Sequence, residues 1–167
     1  MKPTKSILIL LSLFLMFSCD DNSVEPLVCD EGLTNVDGEC YYQGDLDVLQ
    51  DIIDINESLS GEPLEIGIQG WVDGRLDSLN LSFNQLTTLP ESIGYLTNLS
   101  TLKIEQSHLA SLPESFGNLF SLNELDLDNN YFTEIPQSIL KLTSLSKLYL
   151  SSNDITSIPD NIGDLTS

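Results

Sequence analysis

The stretch LDSLNLSFNQLTTLPESIGYLTN, residues 76–98, decides the fold, because its pattern recurs three more times without an insertion. The other copies are LSTLKIEQSHLASLPESFGNLFS at 99–121, LNELDLDNNYFTEIPQSILKLTS at 122–144 and LSKLYLSSNDITSIPDNIGDLTS at 145–167. Every unit is 23 residues long, so equivalent positions return at a fixed interval. A repeat of this length is typical of a solenoid, in which each unit forms one coil and stacks on the next.

The first half of each unit has the pattern of a short β-strand. In the first unit, Leu79 and Leu81 alternate with the polar Asn80, as expected for a strand with one buried face. A single strand of this kind cannot bury its apolar side alone. The units are therefore predicted to stack so that their strands form a parallel sheet.

An amide side chain follows the strand in three of the four units, at Asn84, Asn130 and Asn153. An inward-turned amide can donate to and accept from backbone groups of adjacent coils. The second unit has Ser107 at this position, which predicts weaker bonding between coils there. The second half of each unit contains a proline that follows a leucine or isoleucine expected to be buried: Pro90, Pro113, Pro136 and Pro159. A fixed φ and a missing N–H suit a return segment outside any sheet.

The units fit the pattern L-x-x-L-x-L-x-x-N-x-L-x-x-L-P-x-x-I-G-x-L-x-x. This pattern resembles the 23-residue leucine-rich repeat with an LPxxIGxL second half. The resemblance implies an α/β repeat solenoid over residues 76–167, with short parallel strands on a concave face and 3-10, irregular or helical segments on the convex side. It also implies recognition of a protein or peptide ligand by the concave face.

The repeat spacing places the outward strand positions of successive units side by side. The candidate binding residues at these positions are Asn80, Phe83, Lys103, Glu105, Glu124, Asp126, Asp128, Lys147 and Tyr149. Tyr149 and Phe83 could anchor a ligand, and the charges could set its orientation. The acids at 124, 126 and 128 favour a ligand with a basic patch. The alternative is that any solvated strand face carries such residues.

The charge of the chain is strongly negative and unevenly distributed. Its formal net charge is −20, and no lysine or arginine occurs between Asp20 and Asp73. Such a chain repels nucleic acid and anionic membrane surfaces, so no nucleic-acid partner is expected. The acids can serve as a solubilising surface, or they can bind divalent cations or a basic partner.

Residues 1–18 have the pattern of a secretory signal, with two lysines before an apolar run that is too short for a permanent membrane span. The sequence ending in Ser18-Cys19 resembles a bacterial lipobox, which implies cleavage before Cys19 and acylation of its thiol. An ordinary signal peptide is the alternative. Residues 19–26 are predicted to be an acidic tether. Its acids resemble an export signal for the outer membrane, on its external or its periplasmic face.

Residues 27–75 are predicted to be an amino-terminal cap. In an exported chain, Cys29 and Cys40 are expected to form a disulfide, with two free thiols as the alternative. Residues 27–42 should form a small hairpin or loop, and residues 45–56 an amphipathic helix with aspartates at its start. The helix, Trp71 and the entry at 74–82 resemble the cap of plant-type leucine-rich repeat ectodomains, although the cysteines are placed differently.

No motif indicates catalysis or a metal site. The sequence contains no zinc-spaced cluster, P-loop, G-x-G-x-x-G or EF-hand spacing, and no cofactor is expected. Two weak candidates for catalytic chemistry are the lone His108 and the carboxylate pair Asp126 and Asp128. Because the array stops at the phase where another unit would begin, we expect a longer parent chain. The function could then lie in another domain, or the array could be a structural adhesion scaffold.

Overall fold

The computed structural model describes residues 28–165. The predicted signal at 1–18, Cys19 and the tether at 19–26 lie outside the described residues. The strands are β1 (Leu33–Val36), β2 (Glu39–Tyr42), β3 (Ile68–Val72), β4 (Arg75–Asn80), β5 (Thr101–Lys103), β6 (Glu124–Asp126) and β7 (Lys147–Tyr149), and the helix α1 spans Gln43–Ile55. Among these residues, no helix combines the length and apolar character needed to cross a membrane.

The described part of the chain begins with a small hairpin, one of the two forms expected for residues 27–42. Strands β1 and β2 pair antiparallel around a turn at Asp37 and Gly38, whose φ angles are 52° and 91°. Both angles are left-handed, which is the conformation that a two-residue hairpin turn needs. A disulfide joins Cys29, just before the hairpin, to Cys40 on β2, with Cα atoms 5.6 Å apart.

Helix α1 follows the hairpin directly and packs on the first coil. Val48, Leu49 and Ile52, on the face that the apolar spacing predicted, are at most 1% exposed. Ile53 of the same predicted face is half-buried, and Ile55 beside it is 42% exposed. The residue after the helix, Asn56, is buried as well. Its Nδ2 donates to the carbonyls of Ile52 and Thr88, and its Oδ1 accepts the N–H of Thr87. Asn56 therefore ties the end of the helix to the first coil.

The sheet has an additional strand that the repeat pattern did not predict. Strand β3 pairs antiparallel with β4 around a turn at Asp73 and Gly74, and the five-stranded sheet has the order β3-β4-β5-β6-β7. Trp71 on β3 is half-buried, its ring contacts Tyr41 edge-on at 4.8 Å, and its Nε1 donates to Gln69. Trp71 thus belongs to the packing of the cap, as expected.

Strands β4 to β7 are parallel and in register, one from each coil. The leucines that alternate along them, such as Leu79, Leu102 and Leu125, are at most 1% exposed. On the opposite side of the coils, 3-10 helices span Glu91–Tyr95, Glu114–Asn118, Ile139–Lys141 and Asp160–Asp164. These segments pack closely, since a Cβ on Gly94 would lie 2.4 Å from the carbonyl oxygen of Ser115.

The asparagine positions bond between coils as predicted in two of three cases. Nδ2 of Asn130 donates to Ile104 of the preceding coil, whose Leu109 N–H donates back to Oδ1. Asn153 repeats this arrangement one coil later. Asn84 differs, because its Nδ2 contacts Ser82 of its own coil at 3.3 Å and no earlier coil precedes it.

The structure also tests the expectations for Ser107 and for the residue that precedes each repeat proline. Ser107 is buried, and its Oγ has no hydrogen-bond partner among the described residues, which agrees with the weaker bonding expected there. The expectation that every proline follows a buried residue was met only in part at Pro113, where Leu112 is half-buried, and was wrong for Pro159. Ile158 before it is 68% exposed, because it lies on the last described coil and no further coil packs against it there.

Candidate functional site

The outward side chains of β4 to β7 and of the turns that follow them form one continuous surface, which we name the strand face. The register pairs Asn80 with Lys103, Lys103 with Asp126 and Asp126 with Tyr149. Adjacent strands are about 4.8 Å apart. These residues therefore stand in a single row across the array, as the 23-residue spacing predicted.

An ionic network that the sequence did not reveal links this row to the neighbouring row, in which Glu124 lies opposite Lys147. Oε1 of Glu124 lies 2.6 Å from Nζ of Lys103, and its Oε2 lies 3.0 Å from Nζ of Lys147. Hydrogen bonds from the two lysines lower the pKa of Glu124, and the same contact raises the pKa of Lys103. Glu124, one of the three acids expected to favour a basic ligand, is therefore already paired with two ammonium groups from adjacent coils.

The other two acids of the same coil, Asp126 and Asp128, also have structural contacts. Oδ1 of Asp126 accepts the N–H of Asp128, and Oδ1 of Asp128 accepts the N–H of Ser151 in the next coil. Asn80 accepts the N–H of Ser82 in the same way as Asp126. An amide can thus replace the Asp126 carboxylate in this backbone contact, and the negative charge itself is not needed for it.

Left-handed turns follow the strands at the same position of every coil. The residues are Phe83, Gln106, Asn129 and Ser152, with φ between 49° and 66°. Phe83, expected on a strand, therefore lies on a turn, where its ring is 64% exposed. Glu105 is the residue before the second of these turns, and its backbone N–H donates a hydrogen bond to Oγ of Ser82. The turns extend the strand face beyond the strands.

Sequence reasoning missed Ile68, which extends the first row by one position. Ile68 lies on β3 opposite Asn80 and is 73% exposed. The sequence did contain an indication of strand β3. The pair Asp73-Gly74, which is common in hairpin turns, lies between two strand-like runs. Because β3 supplies Ile68, the row runs from an exposed aliphatic side chain at the cap to the exposed Tyr149.

A second missed feature lies at the side of the array. His108 and Tyr131 stack face to face, with ring centroids 5.3 Å apart and planes 5° apart. His108 and Tyr131 occupy equivalent positions of successive coils, so the 23-residue spacing could have indicated that they are neighbours. The stack shows that His108 has a packing partner. Within residues 28–165, no group of three or more histidine, cysteine, aspartate or glutamate side chains is arranged to hold a metal ion.

Comparisons with known proteins agree with this geometry. A family model described as a leucine-rich repeat region matches residues 74–167. No curated protein gives a significant match. Among solved structures, a leucine-rich repeat protein of Leptospira interrogans is 42% identical with a TM-score of 0.53, and the alignment covers 55% of this chain and 24% of that one. The chain therefore spans about a quarter of the Leptospira protein.

Two plant structures align over most of this chain, including parts of the cap. The ectodomain of the receptor kinase SOBIR1 from Arabidopsis thaliana is 26% identical with a TM-score of 0.59, and the alignment covers 75% of both chains. The BIR3–SERK2 complex from the same plant is 28% identical with a TM-score of 0.54, and the alignment covers 74% of this chain and 73% of that chain.

Proposed function

Since the chain belongs to the leucine-rich repeat family, we propose that its strand face is a non-catalytic recognition surface for a protein or peptide ligand. The observation that carries this proposal is the row in which Asn80, Lys103, Asp126 and Tyr149 stand on successive strands. The row combines an aromatic side chain with charges of both signs. An exposed tyrosine can anchor a partner, and the charges can orient it.

The ends of the row suggest the shape of the ligand. Ile68 and Tyr149 are four strand spacings apart, or about 19 Å. An extended segment of about six residues covers that distance at roughly 3.3 Å per residue. Such a segment could contact both exposed apolar side chains while polar groups in its middle meet Lys103 and Asp126.

The charge of the strand face favours a moderately basic ligand. Its two lysines, Lys103 and Lys147, stand against the four acids Glu105, Glu124, Asp126 and Asp128. Glu124 is neutralised by the lysines, so the remaining excess charge comes from the other three acids. Affinity should fall as salt is raised, because exposed charges are screened beyond about 10 Å at 0.1 M ionic strength.

Relatives support binding of a polypeptide. The BIR3–SERK2 structure is a protein complex, so the fold that this chain shares with it can take part in protein assembly. For this chain, we propose only that the ligand is a protein or peptide.

We also propose that the array is displayed on a bacterial cell envelope, at the outer membrane. The support is the leader at 1–18, the lipobox-like Ser18-Cys19 and the acidic tether at 19–26. Two acyl chains on Cys19 would supply the two hydrophobic attachments that stable anchoring requires. Expression of Cys19→Ala in a bacterial host should release the chain from the membrane fraction. An unmodified amino terminus beyond residue 19 would contradict the anchor.

The recognition proposal can be tested with a random peptide library selected on the immobilised chain. Asp126→Lys and Tyr149→Ala should each weaken the selected peptide about tenfold or more. Asp126→Asn isolates the effect of charge, since Asn80 makes the same backbone contact. Glu114→Lys, on the 3-10 helix of the opposite side, is the control. Equal affinity of all four variants would leave a displayed adhesion scaffold as the better description.

A further inference from the structure

A groove separates α1 from the first coil on the side opposite the strand face, and we name it the cap groove. It has a volume of about 440 Å³, and its lining includes Tyr42, Asp47, Asp51, Arg75, Ser92 and Tyr95. The helix supplies the two aspartates, and the 3-10 helix Glu91–Tyr95 supplies the serine and the second tyrosine. The groove thus has two acidic groups and two aromatic rings.

Within residues 28–165, the two carboxylates of the groove have no ion pair with a lysine or arginine. Arg75 is the one cation in the lining, and Asp45 binds it at two points. Asp47 and Asp51 lie one helical turn apart, where like charges repel. Asp47 accepts a hydrogen bond from Nε2 of Gln43, and Asp51 accepts one from Oγ of Ser92. Both donors are uncharged. A cation bound in the groove would compensate part of this negative charge.

The tyrosines are suited to hold a cation. The guanidinium carbon of Arg75 lies 4.4 Å from the ring centroid of Tyr42, so the groove already holds one cation against an aromatic face. Tyr95 is 72% exposed. The equivalent residues of the other coils are Asn118, Lys141 and Asp164. The coil does not need an aromatic residue there, and Tyr95 is free to contact a ligand.

We propose that the cap groove binds a lysine or arginine side chain of a partner polypeptide. The carboxylates of Asp47 and Asp51 would pair with the cation, and Tyr95 would contact its alkyl stem and charge. The groove is open to solvent along Tyr42 and Tyr95, which suits a side chain that enters from a larger molecule. The net charge of −20 would draw a basic partner towards it.

The test measures binding of the peptide acetyl-Gly-Gly-Lys-Gly-Gly-amide to the full chain in detergent, by NMR titration of the Gly44 and Tyr95 amides. The same peptide with Nε-acetyllysine has no charge and should bind about tenfold more weakly. Asp47→Asn and Tyr95→Ala should each weaken the lysine peptide about threefold to fivefold. Butylamine, which has the ammonium without a peptide chain, should bind roughly threefold more weakly than the peptide.

Two control variants make the result specific. Asp54 accepts a hydrogen bond from Gln50 at 2.7 Å, as Asp47 does from Gln43, but Asp54 does not line the groove. Asp54→Asn should therefore leave binding unchanged. Phe83→Ala on the strand face should also leave binding of the lysine peptide to the cap groove unchanged. The proposal for the cap groove and the proposal for the strand face can therefore be refuted separately. Equal binding of the acetylated peptide, or equal loss in Asp54→Asn and Asp47→Asn, would overturn the proposal. Equal affinity for butylamine would overturn the assignment to a polypeptide.

Discussion

Asp45 on α1 and Arg75 on β4 form a two-point ion pair that joins the cap to the first strand of the array. Oδ2 of Asp45 accepts from Nε of Arg75 at 2.8 Å, and Oδ1 accepts from Nη2 at 3.0 Å. Oδ2 also accepts the backbone N–H of Leu76 at 2.9 Å. The Asp45 side chain is 1% exposed, and the hydrogen bond to it raises the pKa of Arg75. The pair sets the position of the helix on the first coil.

Loss of this carboxylate should destabilise the whole cap. Asp45→Ala removes one partner of a buried ion pair and leaves both Arg75 and the N–H of Leu76 without it. We expect a loss of about 3 kcal/mol in the free energy of unfolding, measured by urea denaturation. Asp54→Ala, an exposed aspartate of the same helix, should cost less than about 0.5 kcal/mol. Similar urea midpoints for the two variants would show that the pair does not hold the cap.

The second coil should gain stability from an asparagine. Ser107→Asn places an amide where Asn130 and Asn153 bond the preceding coil, and it replaces a buried hydroxyl that has no partner in the described structure. We expect a gain of about 1 kcal/mol in the free energy of unfolding. The reverse change, Asn130→Ser, should cost about 2 kcal/mol, because it removes several buried hydrogen bonds. A loss in Ser107→Asn would mean that the second coil has no room for the amide.

The network around Glu124 should make stability depend on pH. The pKa of Glu124 is lowered by its two lysines, so its stabilising effect is present above its ordinary pKa of 4.5. It is lost as the pH falls through the lower pKa of the folded state. Compared with Glu124→Gln, the wild-type chain should be more stable by about 0.5 kcal/mol at pH 7, and this difference should shrink as the pH is lowered below 4.5. A difference that stays constant as the pH is lowered from 7 to well below 4.5 would contradict the assignment.

The disulfide should stabilise the cap through the short loop that it closes. Cys29 and Cys40 are 11 residues apart. Closing a loop of that length lowers the entropy of the unfolded chain by an amount worth about 3 kcal/mol. The double variant Cys29→Ala/Cys40→Ala should lose about that much in urea denaturation. Peptide mapping of the native, unreduced chain should find neither thiol alkylated, and modification of both would rule out the bond.

The sequence predicted the repetitive part of the molecule well, because its physical requirements are periodic. A buried leucine is needed at the same point of each coil. The spacing of Leu79, Leu102 and Leu125 therefore predicts the parallel strands and their register. The same period predicted the row of Lys103, Asp126 and Tyr149. Helix α1 could also be predicted, since its apolar spacing reflects one buried face.

Contacts that join distant, non-equivalent residues could not be predicted in this way. The sequence indicated Asp45 only as a charge near a helix start, because its partner lies 30 residues later on another element. The ion pairs of Glu124 could not be predicted for the same reason, since each of its lysines lies on a neighbouring coil. The cap groove exists only where the helix meets the first coil.

The sequence by itself thus determined the solenoid, its register and which side chains share the strand face, because each depends on a pattern that returns every 23 residues. Only the tertiary structure decided which charges on that face are neutralised, how the cap is fixed, and where a second surface forms. These depend on distances between side chains from different coils or from the cap and a coil, and such distances follow from packing in three dimensions rather than from local pattern.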